Sequence, residues 1–346
     1  MGYAGAMHRR RTLAALLLVA VGLAGCTSDP SPRPDSGGTG KLAGMPGVRD
    51  TWSGLQEVED GVRGLVVVAD LDKDITPEQL TDVLAATEAA NPDQYALSLG
   101  WGELPRSVPA ELGDRDVIEG GYGPLEATTT DRAPQFLAAA RTFDGSVSLT
   151  SRGTEVVLSG ESPDDVTAAL DAALADPVLQ ASPHVSVRTG ERQVPDSSGV
   201  AWAAPLTADL VDRWRTLRAT LDRAPAGAVA KVRLREGNDD WLAEGEAPPG
   251  PAMSIRTRLV LPGVTDEGAV TPATWGERLW PLVHAQLDVA GTLPEGSTYE
   301  LGLDLNPGGL PKDETIVALT VGRGAGDRPS AWDPAAARYL RSVTSD

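Results

Sequence analysis

Cysteine is nearly missing from these 346 residues. The single one, Cys26, excludes an internal disulfide and any zinc site built on several thiolates. Histidine is almost as scarce, and only His184 and His284 lie beyond Cys26, with no second ligand at metal-binding spacing. Lysine is confined to Lys41, Lys73, Lys231 and Lys312, so arginine supplies nearly all positive charge, as in proteins from GC-rich genomes. Phenylalanine occurs twice against eight tryptophans. No G-x-S-x-G elbow, S-x-x-K pair or H-E-x-x-H helix is present, which removes the common signatures of nucleophilic and zinc hydrolases.

What is abundant is acid. The formal charge is −19, a balance that repels nucleic acid and keeps a secreted protein soluble. Neither a nucleic-acid partner nor a resident cofactor is expected. At this length the chain can build real hydrophobic cores, in about two domains.

The first residues carry the sharpest motif. Arg9, Arg10 and Arg11 precede an uncharged apolar run from Leu13 to Leu23, the layout of a secretory signal and too short for a comfortable membrane span of about 20 residues. Leu23, Ala24 and Gly25 then lead into Cys26. This segment resembles the lipobox of bacterial lipoproteins. The resemblance implies that the Cys26 sulfur receives a diacylglyceryl group, that the chain is cut just before it, and that the freed amine is acylated by a fatty acid such as palmitate. It covers residues 1–26 and predicts an address, the outer face of the cell membrane. Two lipid chains at about 0.8 kcal/mol per buried methylene give stable anchoring. Cleavage there removes three arginines and no acids, making the chain more acidic still.

The expected organisation is a signal peptide at 1–25, a flexible tether at 26–50, and two domains at 51–195 and 196–346. The tether is rich in Ser, Pro, Gly and Asp, a composition that cannot bury enough apolar surface to order itself. The second boundary follows Pro195-Asp196-Ser197-Ser198-Gly199, read as a linker. Between these limits short apolar runs alternate with amphipathic segments. Strands are expected at 64–71, 95–101, 146–150, 154–159, 184–188, 229–234, 241–245, 254–261, 299–305 and 315–321. Helices are expected at 77–90, 133–142, 163–175 and 206–222, after Thr271-Pro272, and from Pro334.

Three helix starts look alike: Thr76-Pro77-Glu78-Gln79, Ser162-Pro163-Asp164-Asp165 and the looser Thr271-Pro272-Ala273-Thr274. Each offers a hydroxyl N-cap and a proline at the first helical position. The pattern predicts an α+β fold, antiparallel sheets with helices packed on one face, built from repeated helix-strand-strand-helix-strand units.

Chemistry is harder to find. Asp70, Asp72 and Asp74 resemble the start of a calcium loop and form a candidate weak cation site, although Ile75 and Thr81 stand where such a loop needs glycine and glutamate. The glycine clusters at 120–123, 308–309 and 322–326 read as turns, since no helix opens at them. His184 and His284 read as structural. Trp52, Trp101, Trp202, Trp241 and Trp332 sit near loops or element ends, where an exposed indole can stack on a glycan or anchor a protein partner.

The expected role is therefore that of a membrane-anchored, extracytoplasmic lipoprotein that binds or scaffolds another envelope component. The alternatives are a carboxylate-dependent hydrolase of cell-wall material and a solute-binding lipoprotein of a transporter, which should show two lobes around a cleft.

Overall fold

The computed structural model describes residues 39–59, 62–90, 96–101, 117–120, 131–150, 153–190, 197–237, 253–305, 313–326 and 329–344. Cys26 with Leu23, Ala24 and Gly25, the side chain of Trp101, and Trp241 with the strand expected around it lie outside the described residues.

The protein is α+β. Six strand-strand-helix units follow one another: β1 (Val48–Glu59), β2 (Val62–Leu71) and α2 (Pro77–Ala90), then β3 (Ala96–Trp101), β4 (Val117–Gly120) and α3 (Ala133–Thr142). The third unit is β5 (Gly145–Thr150), β6 (Gly153–Leu158) and α4 (Pro163–Ala175), with a short α5 (Pro177–Ala181). The fourth is β7 (Val185–Arg188), β8 (Gly199–Trp202) and α6 (Ala208–Thr220); the fifth β9 (Val229–Glu236), β10 (Met253–Val260) and α7 (Pro272–Ala290). The last is β11 (Thr298–Asp304), β12 (Asp313–Thr320), a two-residue β13 (Gly324–Ala325) and α8 (Asp333–Val343). A first short helix, α1 (Thr39–Leu42), precedes them.

All thirteen strands pair in sequence order within one sheet. Within each unit the two successive strands pair antiparallel. Between units the pairing is parallel, because a helix carries the chain back before the next strand begins. The sheet is thus mixed, and the repeat is shorter than the sequence suggests.

Helices pack on their successors, α2 on α3, α4 on α6, α6 on α7 and α7 on α8, so they make one layer. The core lies between that layer and the sheet: Val156, Val187, Val232, Leu234, Ile255, Leu259, Leu301 and Val317 meet Leu170, Leu210, Trp214, Leu279 and Leu282.

Local chemistry explains the helix starts. At all three of the similar motifs the cap is reciprocal. Thr76 Oγ1 accepts from Gln79 N while Gln79 Oε1 accepts from Thr76 N. Ser162 and Asp165 form a capping box, as do Thr271 and Thr274. Two orphan N–H groups are satisfied at each start.

Two boundaries differ from the sequence reading. The tether expected to run to residue 50 stops sooner, since Leu42 is fully buried in the core and β1 begins at Val48. Gly47 sits in the left-handed region at φ 85°, where a Cβ would strike Ile75, and its carbonyl accepts from Asp72 N. The division expected between 195 and 196 falls inside the β7–β8 hairpin, with Thr189 N donating to Ser198 O. Residues 36–346 form one compact unit. No helix among the described residues is long and apolar enough to cross a membrane.

Candidate functional site

The helix layer is grooved between α6 and α7. In α6 the spacing of Leu210, Trp214 and Leu217 turns those side chains into the core, as the helical period requires, which leaves Asp209, Asp212, Arg213 and Thr216 on the outer side. In α7 the core takes Leu279, Leu282, Val283 and Leu287, and Asp288 is left at the groove. The resulting cleft has a volume of about 480 Å³, with Ala219, Ala285 and Val289 among its lining and carboxylates and guanidiniums at its walls. That size falls within the range of small-ligand clefts.

Arg213 spans the groove. Its Nε and Nη2 donate to Asp209 Oδ2 at 3.3 Å, and its Nη1 donates to Thr292 O and Oγ1 at 2.9 and 2.8 Å. Arg223 is the second guanidinium in the lining. Beside the groove, Tyr339 of α8 donates its hydroxyl to Asp288 Oδ1 at 2.8 Å, and this bond raises the phenol above its ordinary pKa. The ring of Tyr339 stacks on His284, with centroids 4.0 Å apart and planes 9° from parallel. Burial lowers the His284 pKa, and Asp288 partly opposes the effect.

The groove's hydroxyls are committed to helix carbonyls. Thr216 Oγ1 donates to Asp212 O, Thr220 Oγ1 to Leu217 O and Thr292 Oγ1 to Val289 O. A nucleophilic hydroxyl needs instead a base to take its proton. The arrangement suits binding: charged walls of both signs around a partly apolar lining.

The residues singled out from sequence are scattered. Asp72 and Asp74 are exposed after β2, Asp70 is half-buried within it, and Asp72 lies 3.8 Å from Arg49. The described residues hold no group of three or more His, Cys, Asp or Glu placed to bind a metal, so the candidate cation site does not assemble. Trp202 and Trp332 are corrected from surface contacts to core: each is buried, and its indole N–H donates to a backbone carbonyl, Ser182 O at 2.9 Å and Val270 O at 3.0 Å. Burying so large an apolar ring outweighs a position near an element end. Trp52 is half-buried on the edge strand β1. His184 occupies the left-handed region at φ 56° just before β7, and burial, followed by the charge of Arg132, lowers its pKa.

The groove was missed in the sequence because it is formed by two helices some 60 residues apart. The only available signal was the alternation of Asp209, Asp212, Arg213 and Thr216 with the apolar stripe of α6. Comparison with family models, with curated proteins and with solved structures gave no match.

Proposed function

We propose that this chain is a lipid-anchored extracytoplasmic protein whose folded region binds or scaffolds another component of the cell envelope. The observation that carries the reading is Leu23-Ala24-Gly25-Cys26 at the end of a basic-then-apolar leader, with Cys26 the sole cysteine of the chain. A lone thiol in an exported protein is otherwise a reactive liability, and lipidation consumes it.

The binding role is supported by the α6–α7 groove, where the hydroxyls are spent on backbone carbonyls and the charged groups clamp one helix to the next. A solute-binding protein of a transporter closes two lobes over its ligand. Here the folded region is one compact unit with its helices in a single layer, which favours a static surface.

Mass spectrometry of the N-terminal peptide from membrane-purified protein tests the address. The expected species begins at Cys26 and carries a diacylglyceryl group with an acylated amine. A peptide running unbroken from residue 13 into residue 40, or a free Cys26 thiol, contradicts the proposal.

A further inference from the structure

Five charged side chains line the α6–α7 groove, and three of them are already neutralised. Asp209 accepts from Nε and Nη2 of Arg213, whose Nη1 is spent on Thr292, and Asp212 accepts from Arg215 Nη1 at 2.6 Å. Two remain. Arg223, at the end of the 3-10 turn Leu221–Arg223 that follows α6, is exposed and makes no hydrogen bond or ion pair among the described residues. Asp288 of α7 accepts one hydrogen bond among the described residues, from the Tyr339 hydroxyl at Oδ1, which leaves Oδ2 open.

These two opposite charges meet around one hydroxyl. The Asp288 bond and then burial raise the Tyr339 phenol, while the charge of Arg223 works against them, so Arg223 and Asp288 both stand near Tyr339. They nonetheless form no ion pair with each other, and they belong to facing sides of the groove. Helix axes pack about 8–10 Å apart, a gap that two to three extended residues cross at about 3.4 Å each. The lining that the two charges share includes the small apolar Ala219, Ala285 and Val289.

We propose that the groove binds a short peptide with both ends free, its carboxylate on Arg223 and its ammonium on Asp288. A simple anion gains Arg223 but meets the field of Asp288, and a simple cation meets the reverse. A ligand of both signs gains both contacts. The guanidinium fork matches a carboxylate bidentately, and an ammonium brings three donors, one of which Oδ2 takes. The apolar lining suits alanine-sized side chains, and a cleft of about 480 Å³ has room for a few residues. This inference deepens the binding role proposed above and rests on it for the groove being a binding surface.

Its test is independent of the anchor: full-length protein in neutral detergent is titrated by calorimetry with trialanine, N-acetyltrialanine and trialanine amide. Trialanine is expected to bind, and each blocked form to bind more weakly by about tenfold or more, the loss of one charge-assisted bond. The amide carries a net positive charge, so general attraction to a chain at −19 favours it, and its weaker binding marks local recognition. R223Q, which breaks no bond in the free protein, should bind trialanine and its amide alike. D288N, which keeps an acceptor for Tyr339, should bind trialanine and its N-acetyl form alike. R49Q, which removes an exposed arginine next to Asp72, should behave as wild type. Unchanged thermal unfolding certifies the folds, and if D288N does not fold, R223Q alone decides. The proposal is overturned by absence of trialanine binding, by equal binding of the three peptides to wild type, or by a preference for the free carboxylate that survives in R223Q. Tighter binding of glycerophosphoethanolamine, a zwitterion without a carboxylate, also overturns it. Any of these outcomes with a lipidated Cys26 rejects the peptide groove and leaves the anchor standing; trialanine binding with an unlipidated Cys26 rejects only the anchor.

Discussion

Trp214 of α6 donates its indole N–H to Thr167 Oγ1 of α4 at 3.0 Å, and the same hydroxyl donates onward to Pro163 O, in the first turn of α4. One fully buried ring thereby joins two helices from successive repeats. Trp214→Ala is expected to cost about 3–5 kcal/mol, and Trp214→Phe, which keeps most of the volume but abandons the bond, about 1–2 kcal/mol. Denaturant unfolding of the two variants measures both.

A second buried link joins sheet to helix. Gln286 Oε1 of α7 accepts from Thr257 Oγ1 at 3.1 Å and from Tyr299 Oη at 3.0 Å. Burial pushes the Tyr299 phenol far above its ordinary pKa, so it stays a donor. Gln286→Leu leaves two buried hydroxyls without their acceptor and should cost about 2–4 kcal/mol, against about 1 kcal/mol for Tyr299→Phe. In the double variant the two losses should add to less than their sum, since one shared bond is counted twice.

Stability should also depend on the two histidines. Burial lowers both His184 and His284 from the ordinary value of 6.5, with Arg132 assisting at His184 and Asp288 opposing at His284. The unfolded chain then binds protons that the folded chain refuses. Their contribution is full above pH 6.5 and is lost as pH falls through the lowered folded values. Denaturant midpoints should be lower at about pH 5.5 than at about pH 7.5, and H184Q/H284Q should narrow that gap.

The helix starts were legible because their signal is local. A hydroxyl, a proline and an acceptor three residues on are enough to specify the cap at Thr76, Ser162 and Thr271. Ser162→Ala is accordingly expected to cost about 1 kcal/mol, read as a shift in thermal midpoint. Strands with regular alternation were equally readable. Four others were not: β1 is a polar strand that pairs only with β2 among the described residues, β8 is four residues buried throughout, and β4 and β13 are four and two residues long, so none shows the period that marks a half-buried strand.

Sites fared worse than elements, for a physical reason. Whether Trp202 or Trp332 faces solvent depends on carbonyls 20 and 62 residues away, which no local pattern encodes.

The anchor is the claim on which the proposed setting of the protein depends. Wild type and Cys26→Ser should be compared by detergent phase separation of whole-cell extracts. The account predicts that wild type enters the detergent phase and that Cys26→Ser, having no sulfur to lipidate, leaves it. Equal partition of the two proteins would contradict it.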